Sequence, residues 1–152
     1  MSTALAADPL AKERLRMWVR LLGVTRAAEN QLREFLRLKH QTTLPRFDVM
    51  AALHRRGEPT TMSEISRMLL VSNGNVTAVV DRLEADELVR RGGSSTDRRT
   101  VYVTLTPKGV EHFERLAADH ERWINKLFDS LTTSEIETMT TIMKRMRKGA
   151  KP

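Results

Sequence analysis

The chain contains no cysteine, which excludes disulfides, thiolate metal sites and cysteine-based redox sensing together. No apolar run approaches the roughly 18 residues needed to cross a bilayer. The first residues lack a basic segment followed by a signal-peptide core, so the expected location is the cytoplasm, with no membrane partner. Enzyme signatures are missing as well: there is no glycine-rich phosphate loop, no His-Glu-x-x-His pair and no Gly-x-Ser-x-Gly elbow. No cofactor is implied. His112 and His120 share one helical stretch, but about two turns separate them, too far to chelate one ion without other ligands. Neither an internal repeat nor a low-complexity segment is present.

What the chain has is positive charge. Its 26 Lys and Arg against 19 Asp and Glu give a net +7, a bias toward polyanionic partners that a solvated helix face could also produce. A length of 152 residues suits one compact domain, or a small binding module whose extra helices need a partner to bury them. The apolar spacing favours the second. From about Pro9 to Lys39, Leu15, Trp18, Leu22, Leu32 and Leu36 fall on or near one stripe of a helix too long for a small domain to cover. Gly23 interrupts it, either as a bend or as a tolerated exposed glycine. Near the other end Thr132 and Glu135 form a capping box. The helix that follows carries Ile136, Met139, Met143 and Met146 at the three- and four-residue steps of a coiled-coil seam. Such a seam needs a second helix, from the same chain or from another copy.

Between these ends the periodicity changes several times. Pro45 sits in the first turn of a helix with Phe47, Met50, Ala51 and Leu53, ending at Arg56 or Gly57. Thr61 and Glu64 make another capping box and open a short helix. Ser72 is placed to cap the next, whose apolar stripe is Val76, Val79, Val80 and Leu83. Leu88 to Arg91 and Val101 to Leu105 then read as paired strands around a polar tip. Thr106 and Pro107 start a further helix. The expected fold is mainly α with a small β-hairpin wing: a winged helix-turn-helix over 43–109, flanked by dimerisation helices in 1–42 and 110–152.

A helix that enters the major groove presents short polar side chains near its N-terminus. Asn73, Asn75 and Thr77 have that character: asparagine can bond adenine bidentately, and the threonine methyl can pack on thymine. Ser72 and Thr61 serve as caps whether or not they also touch phosphate. Arg82 lies on the same polar face. The hairpin holds Arg90 and Arg91 at its base and Asp97, Arg98 and Arg99 at its tip. An arginine there gains from the negative potential of a narrow minor groove, and Asp97 would orient a guanidinium rather than meet DNA. The rival reading is a nonspecific or architectural DNA-binding protein, which would have no need of a polar, capped reading face.

The segment VSNGNVTAVVDRLEADELVRR followed by STDRRTVYVTLTPKG resembles the MarR family of bacterial transcription regulators over essentially the whole chain. Asp97 and Arg99 match the family's D-x-R wing, and Leu105 to Gly109 match its L-T-x-x-G exit. Glu87 departs from the pattern, since many members have glycine there. The resemblance implies a homodimer on a pseudo-palindromic double-stranded DNA operator, acting as a repressor until a small ligand releases it. Relatives bind aromatic acids where the dimerisation helices meet the DNA-binding lobe. The corresponding candidates are Trp18 and Arg26 on the first helix and Phe47, Met50 and His54 on the second, an aromatic plate and a cation suited to an anionic aromatic. Core packing accounts for Trp18, Phe47 and Met50 equally well. The block TLPRFDVMAAL with NGNVT is also similar to the subgroup answering to hydroxycinnamate-type acids or their CoA thioesters.

Overall fold

The computed structural model describes residues 8–93 and 99–149. Its elements run α1 (Ala11–His40), α2 (Leu44–Arg56), β1 (Thr60–Thr61), α3 (Met62–Leu69), α4 (Asn73–Ala85), β2 (Val89–Gly93), β3 (Val101–Leu105), α5 (Pro107–Leu127) and α6 (Thr133–Gly149). The chain divides into two units, Met1–Phe113 and Glu114–Pro152.

Helix boundaries follow the side chains that satisfy the free backbone donors of each first turn. The Thr43 hydroxyl accepts from the Arg46 amide at 3.4 Å and starts α2. Ser72 accepts from the Asn75 amide at 3.3 Å and starts α4. In α3 the box is complete: Glu64 N–H donates to the Thr61 hydroxyl at 3.2 Å while Thr61 N–H donates to the Glu64 carboxylate at 2.8 Å. Thr132 and Glu135 repeat that arrangement before α6.

The capping box carries a pH dependence. Backbone and hydroxyl hydrogen bonds from Thr61, and then nearby Arg56, hold the Glu64 carboxyl below the usual carboxylate range. A carboxyl depressed in the folded state contributes stability above its unfolded pKa, and loses it as pH falls through the folded value. The difference in melting temperature between the wild type and Glu64→Ala is therefore expected to be present at neutral pH and to shrink below about pH 4. A difference that stays constant to low pH would show that the carboxylate form is not what caps α3.

The first unit is built around α2, α3, α4 and the sheet. Leu36, Met50, Ile65, Val76, Val80, Leu83, Val89 and Val103 are all sealed from solvent. The sheet has three strands in the order β1-β3-β2, all antiparallel. Only the β2–β3 hairpin is expected from the residue pattern. β1 is two residues long, too short for an alternation to register, and pairs Thr60 with Val103 and Thr61 with Tyr102. Within α1 only Leu32 and Leu36 are buried, while Leu15, Trp18, Val19 and Val24 are half or more exposed. In the second unit, α6 buries none of its residues. No helix of the described residues is long and apolar enough to cross a membrane.

Candidate nucleic-acid interface

The register of the hairpin decides what its arginines can do. Successive strand residues point to opposite faces, and Arg91 pairs with Val103 while Arg90 pairs with Thr104. Arg91 therefore shares a face with buried Val89 and Val103, turned toward α4, and Arg90 is exposed on the other face. From there the Arg91 guanidinium donates to the Glu84 carboxylate at 3.1 Å, to Asp81, and to the Thr77 carbonyl at 3.5 Å. Its own amide donates to Glu84 at 3.0 Å. Arg91 thus ties the base of the wing to α4 and neutralises two carboxylates of that helix. Adjacent positions hid this difference, because register is invisible until the partner strand is placed.

A second tie lies at the base of the hairpin, where β3 leaves the sheet beside the start of β2. The Thr106 hydroxyl donates to the Glu87 carbonyl at 2.7 Å and accepts from Gly109 N–H at 3.0 Å. Thr106 N–H donates to the Leu88 carbonyl at 3.0 Å, and the Lys108 ammonium to the Asp86 carbonyl at 3.0 Å. These bonds pin the exit of β3 onto the turn between α4 and β2. A methyl built on Gly109 would overlap the Leu88 carbonyl oxygen and lie 2.9 Å from its carbon, so only glycine permits this approach. Glu87 sits in that same turn with φ of 60°, a left-handed conformation that a side chain disfavours. That is why glycine suits position 87.

With the wing fixed against it, α4 offers Asn73, Asn75 and Thr77 at its exposed N-terminal end. The side-chain amides of Asn73 and Asn75 make no hydrogen bond with any described residue, which leaves donors and acceptors for a base edge. The Thr77 hydroxyl donates back to the Asn73 carbonyl at 2.9 Å, so the methyl is the part it presents. Arg82, on the same side, reaches its own helix at Asp86, 3.4 Å away. The Thr61 hydroxyl is committed to Glu64 as both donor and acceptor, and Ser72 is committed to its cap. Arg99 is exposed at the described end of the wing. Asp97 and Arg98 lie outside the described residues.

The expected effector residues are dispersed. Met50 has no accessible surface and Phe47 almost none. Phe47 and His54 both pack on the Phe113 ring, with centroids 5.6 and 4.8 Å away. In this protomer Phe47 and Met50 are core, and the Phe47 ring packs on Phe113 of α5. Trp18 and Arg26 stand exposed on α1. Of the expected interface residues, Leu15, Ile136, Met139, Met143 and Met146 are exposed and Leu22 is half-buried.

A capped helix-turn-helix with a pinned wing, a polar helix end and a surplus of cations defines a winged-helix DNA-binding protein. Residues 40–100 match the model of the MarR family. The chain is 28% identical over 142 residues to the transcriptional regulator MhqR of Bacillus subtilis, covering 93% of this chain and 97% of the relative. Its fold matches that of a mutant MarR of Escherichia coli complexed with operator DNA, with a TM-score of 0.77, 25% identity, and 92% and 99% of the two chains covered. It also matches BpsR of Bordetella bronchiseptica, whose DNA binding is regulated by 6-hydroxynicotinic acid, with a TM-score of 0.77, 22% identity, and coverage of 87% and 98%. Over residues 40–100 the chain is thus similar to the MarR family, and the relatives and fold neighbours that it resembles are transcriptional regulators, not enzymes.

Proposed function

We propose that the protein is a cytoplasmic repressor that binds a pseudo-palindromic operator as a homodimer and is released by a small aromatic acid or its CoA thioester. Asn73, Asn75 and Thr77 read base edges in the major groove, and Arg99, with Arg98 beside it in sequence, reaches the flanking groove. The observation that carries the reading is the pair of asparagine amides, bonded to no described residue, at the exposed end of a helix held by a second element. A protein that gripped only the backbone would have no use for them.

Dimerisation rests on exposure. Ile136, Met139, Met143 and Met146 are each 42–51% exposed within one chain, a costly arrangement for a methionine-rich stripe unless another helix covers it. Met139→Lys combined with Met143→Lys is expected to give a monomer by light scattering. Because two tethered reading heads bind far more tightly than one, duplex affinity should fall at least about tenfold. A dimeric mass for the double variant would refute the seam.

The effector reading rests on the aromatic and cationic side chains of α1 and α2, and on the regulation of BpsR by an aromatic acid. Since Phe47 and Met50 are closed off in the protomer, the acid would meet Trp18, Arg26 and His54 at a site completed by the partner copy.

A further inference from the structure

The helix α4 opens on a reactive dipeptide. Of the asparagines in the chain, at positions 30, 73, 75 and 125, only Asn73 is followed by glycine. An asparagine carboxamide is open to attack by the backbone nitrogen of the next residue, and a glycine there has no side chain to hinder the approach. The surroundings of this pair favour the attack further. Asn73 and Gly74 are exposed, and a Cβ built on Gly74 would meet nothing within 4 Å. The Gly74 amide belongs to the first helical turn, whose N–H groups have no acceptor within the helix. It makes no hydrogen bond with any described residue, and neither does the Asn73 carboxamide.

What restrains the pair is the helix itself. Ser72 caps it through the Asn75 amide at 3.3 Å, and the Thr77 hydroxyl donates to the Asn73 carbonyl at 2.9 Å. Ring closure requires Asn73 and Gly74 to leave helical geometry for a moment, and an exposed first turn opens locally far more readily than a buried segment. Asn75, two residues on, is protected by its successor, the β-branched and buried Val76.

We propose that Asn73 is a site of spontaneous deamidation that ends sequence reading by this chain. The Gly74 nitrogen loses its proton and bonds to the Asn73 side-chain carbon, and the carboxamide nitrogen leaves as ammonia. Water then opens the resulting succinimide at either carbonyl, giving aspartate or, with the backbone routed through the side chain, isoaspartate. Neither an oxidant nor an enzyme is required. Both products place a carboxylate where the proposed base contact lies, beside phosphates that repel it. In the aspartate form the helix itself gains, because a negative charge in the first turn meets the positive end of its dipole. The fold is kept while the reading is lost. That consequence rests on the reading face proposed above; the reaction does not.

The first arm of the test contains no DNA. Full-length protein is held for days at neutral and at mildly alkaline pH, then digested and weighed by mass spectrometry. A gain of about one dalton, the exchange of an amide for an acid, is expected at Asn73 ahead of Asn30, Asn75 and Asn125. It should be faster at the higher pH, because the attacking nitrogen must lose its proton. Gly74→Ala should slow the gain severalfold or more; its methyl enters open space and alanine favours the helix, so the fold is kept. The second arm titrates a duplex selected by the fresh protein. Asn73→Asp should melt no lower than the wild type but bind that duplex at least about tenfold more weakly. Aged protein should lose affinity in step with its converted fraction. No gain at Asn73, or a gain that Gly74→Ala leaves unchanged, would overturn the site. Conversion at Asn73 with undiminished duplex affinity would overturn the loss of reading and remove Asn73 from the reading face.

Discussion

Gly109→Ala is expected to destabilise the protein by roughly 3 kcal/mol, at the upper end of what overpacking costs. The added methyl falls on a backbone carbonyl rather than on a side chain that could rotate away. The Leu88 carbonyl is itself held by the Thr106 amide, so relief requires the β3–α5 junction to shift. That shift breaks the bonds from Thr106 to Glu87 and from Gly109 to Thr106. Denaturant unfolding measures the loss directly. A variant within about 0.5 kcal/mol of the wild type would mean that the exit motif is not the packed lock described here. Glu87→Gly, in the adjoining turn, should move stability the other way, since it relieves a left-handed side chain and gives up only an exposed 3.5 Å pair with Lys108.

Arg91→Met should lower duplex affinity by roughly tenfold to a hundredfold, because it frees the wing base from α4 and leaves Asp81 and Glu84 unbalanced beside the DNA. The guanidinium is 25% exposed, which keeps the estimate below that for a sealed charge pair. Arg91 acts through α4 rather than on phosphate, so the fall in log affinity with log salt should stay close to the wild-type slope. Arg99→Ala, by contrast, should flatten that slope by about one contact's worth. Adding Asp81→Asn and Glu84→Gln to Arg91→Met should recover part of the loss. If Arg91→Met flattens the slope as Arg99→Ala does, the arginine touches DNA and the clamp is incidental.

Local chemistry made most of the architecture legible. Thr61 with Glu64, Ser72, and Thr132 with Glu135 announce helix starts through side chains that bond their own backbone, and the structure places a cap at each. What local chemistry could not reveal depended on contacts distant in sequence. Arg90 and Arg91 look alike until β3 assigns them to opposite faces. Phe47 has the composition of a ligand plate, but it is buried and packs on Phe113, far away in sequence. Glu87 departs from the resemblance without announcing its conformation, and only the backbone shows it to be left-handed.

On this reading α4 recognises sequence through Asn73, Asn75 and Thr77. Selection from a pool of random duplexes by the full-length protein tests it most directly, followed by titration of the selected site and of random duplex with the wild type and Asn75→Ala. Two inverted half-sites with centres about 34–36 Å apart, one turn of the double helix, are expected to be enriched. Asn75→Ala is expected to lose roughly tenfold or more on the selected site while binding random duplex as the wild type does. No enriched sequence, or equal loss on both duplexes, would contradict this reading.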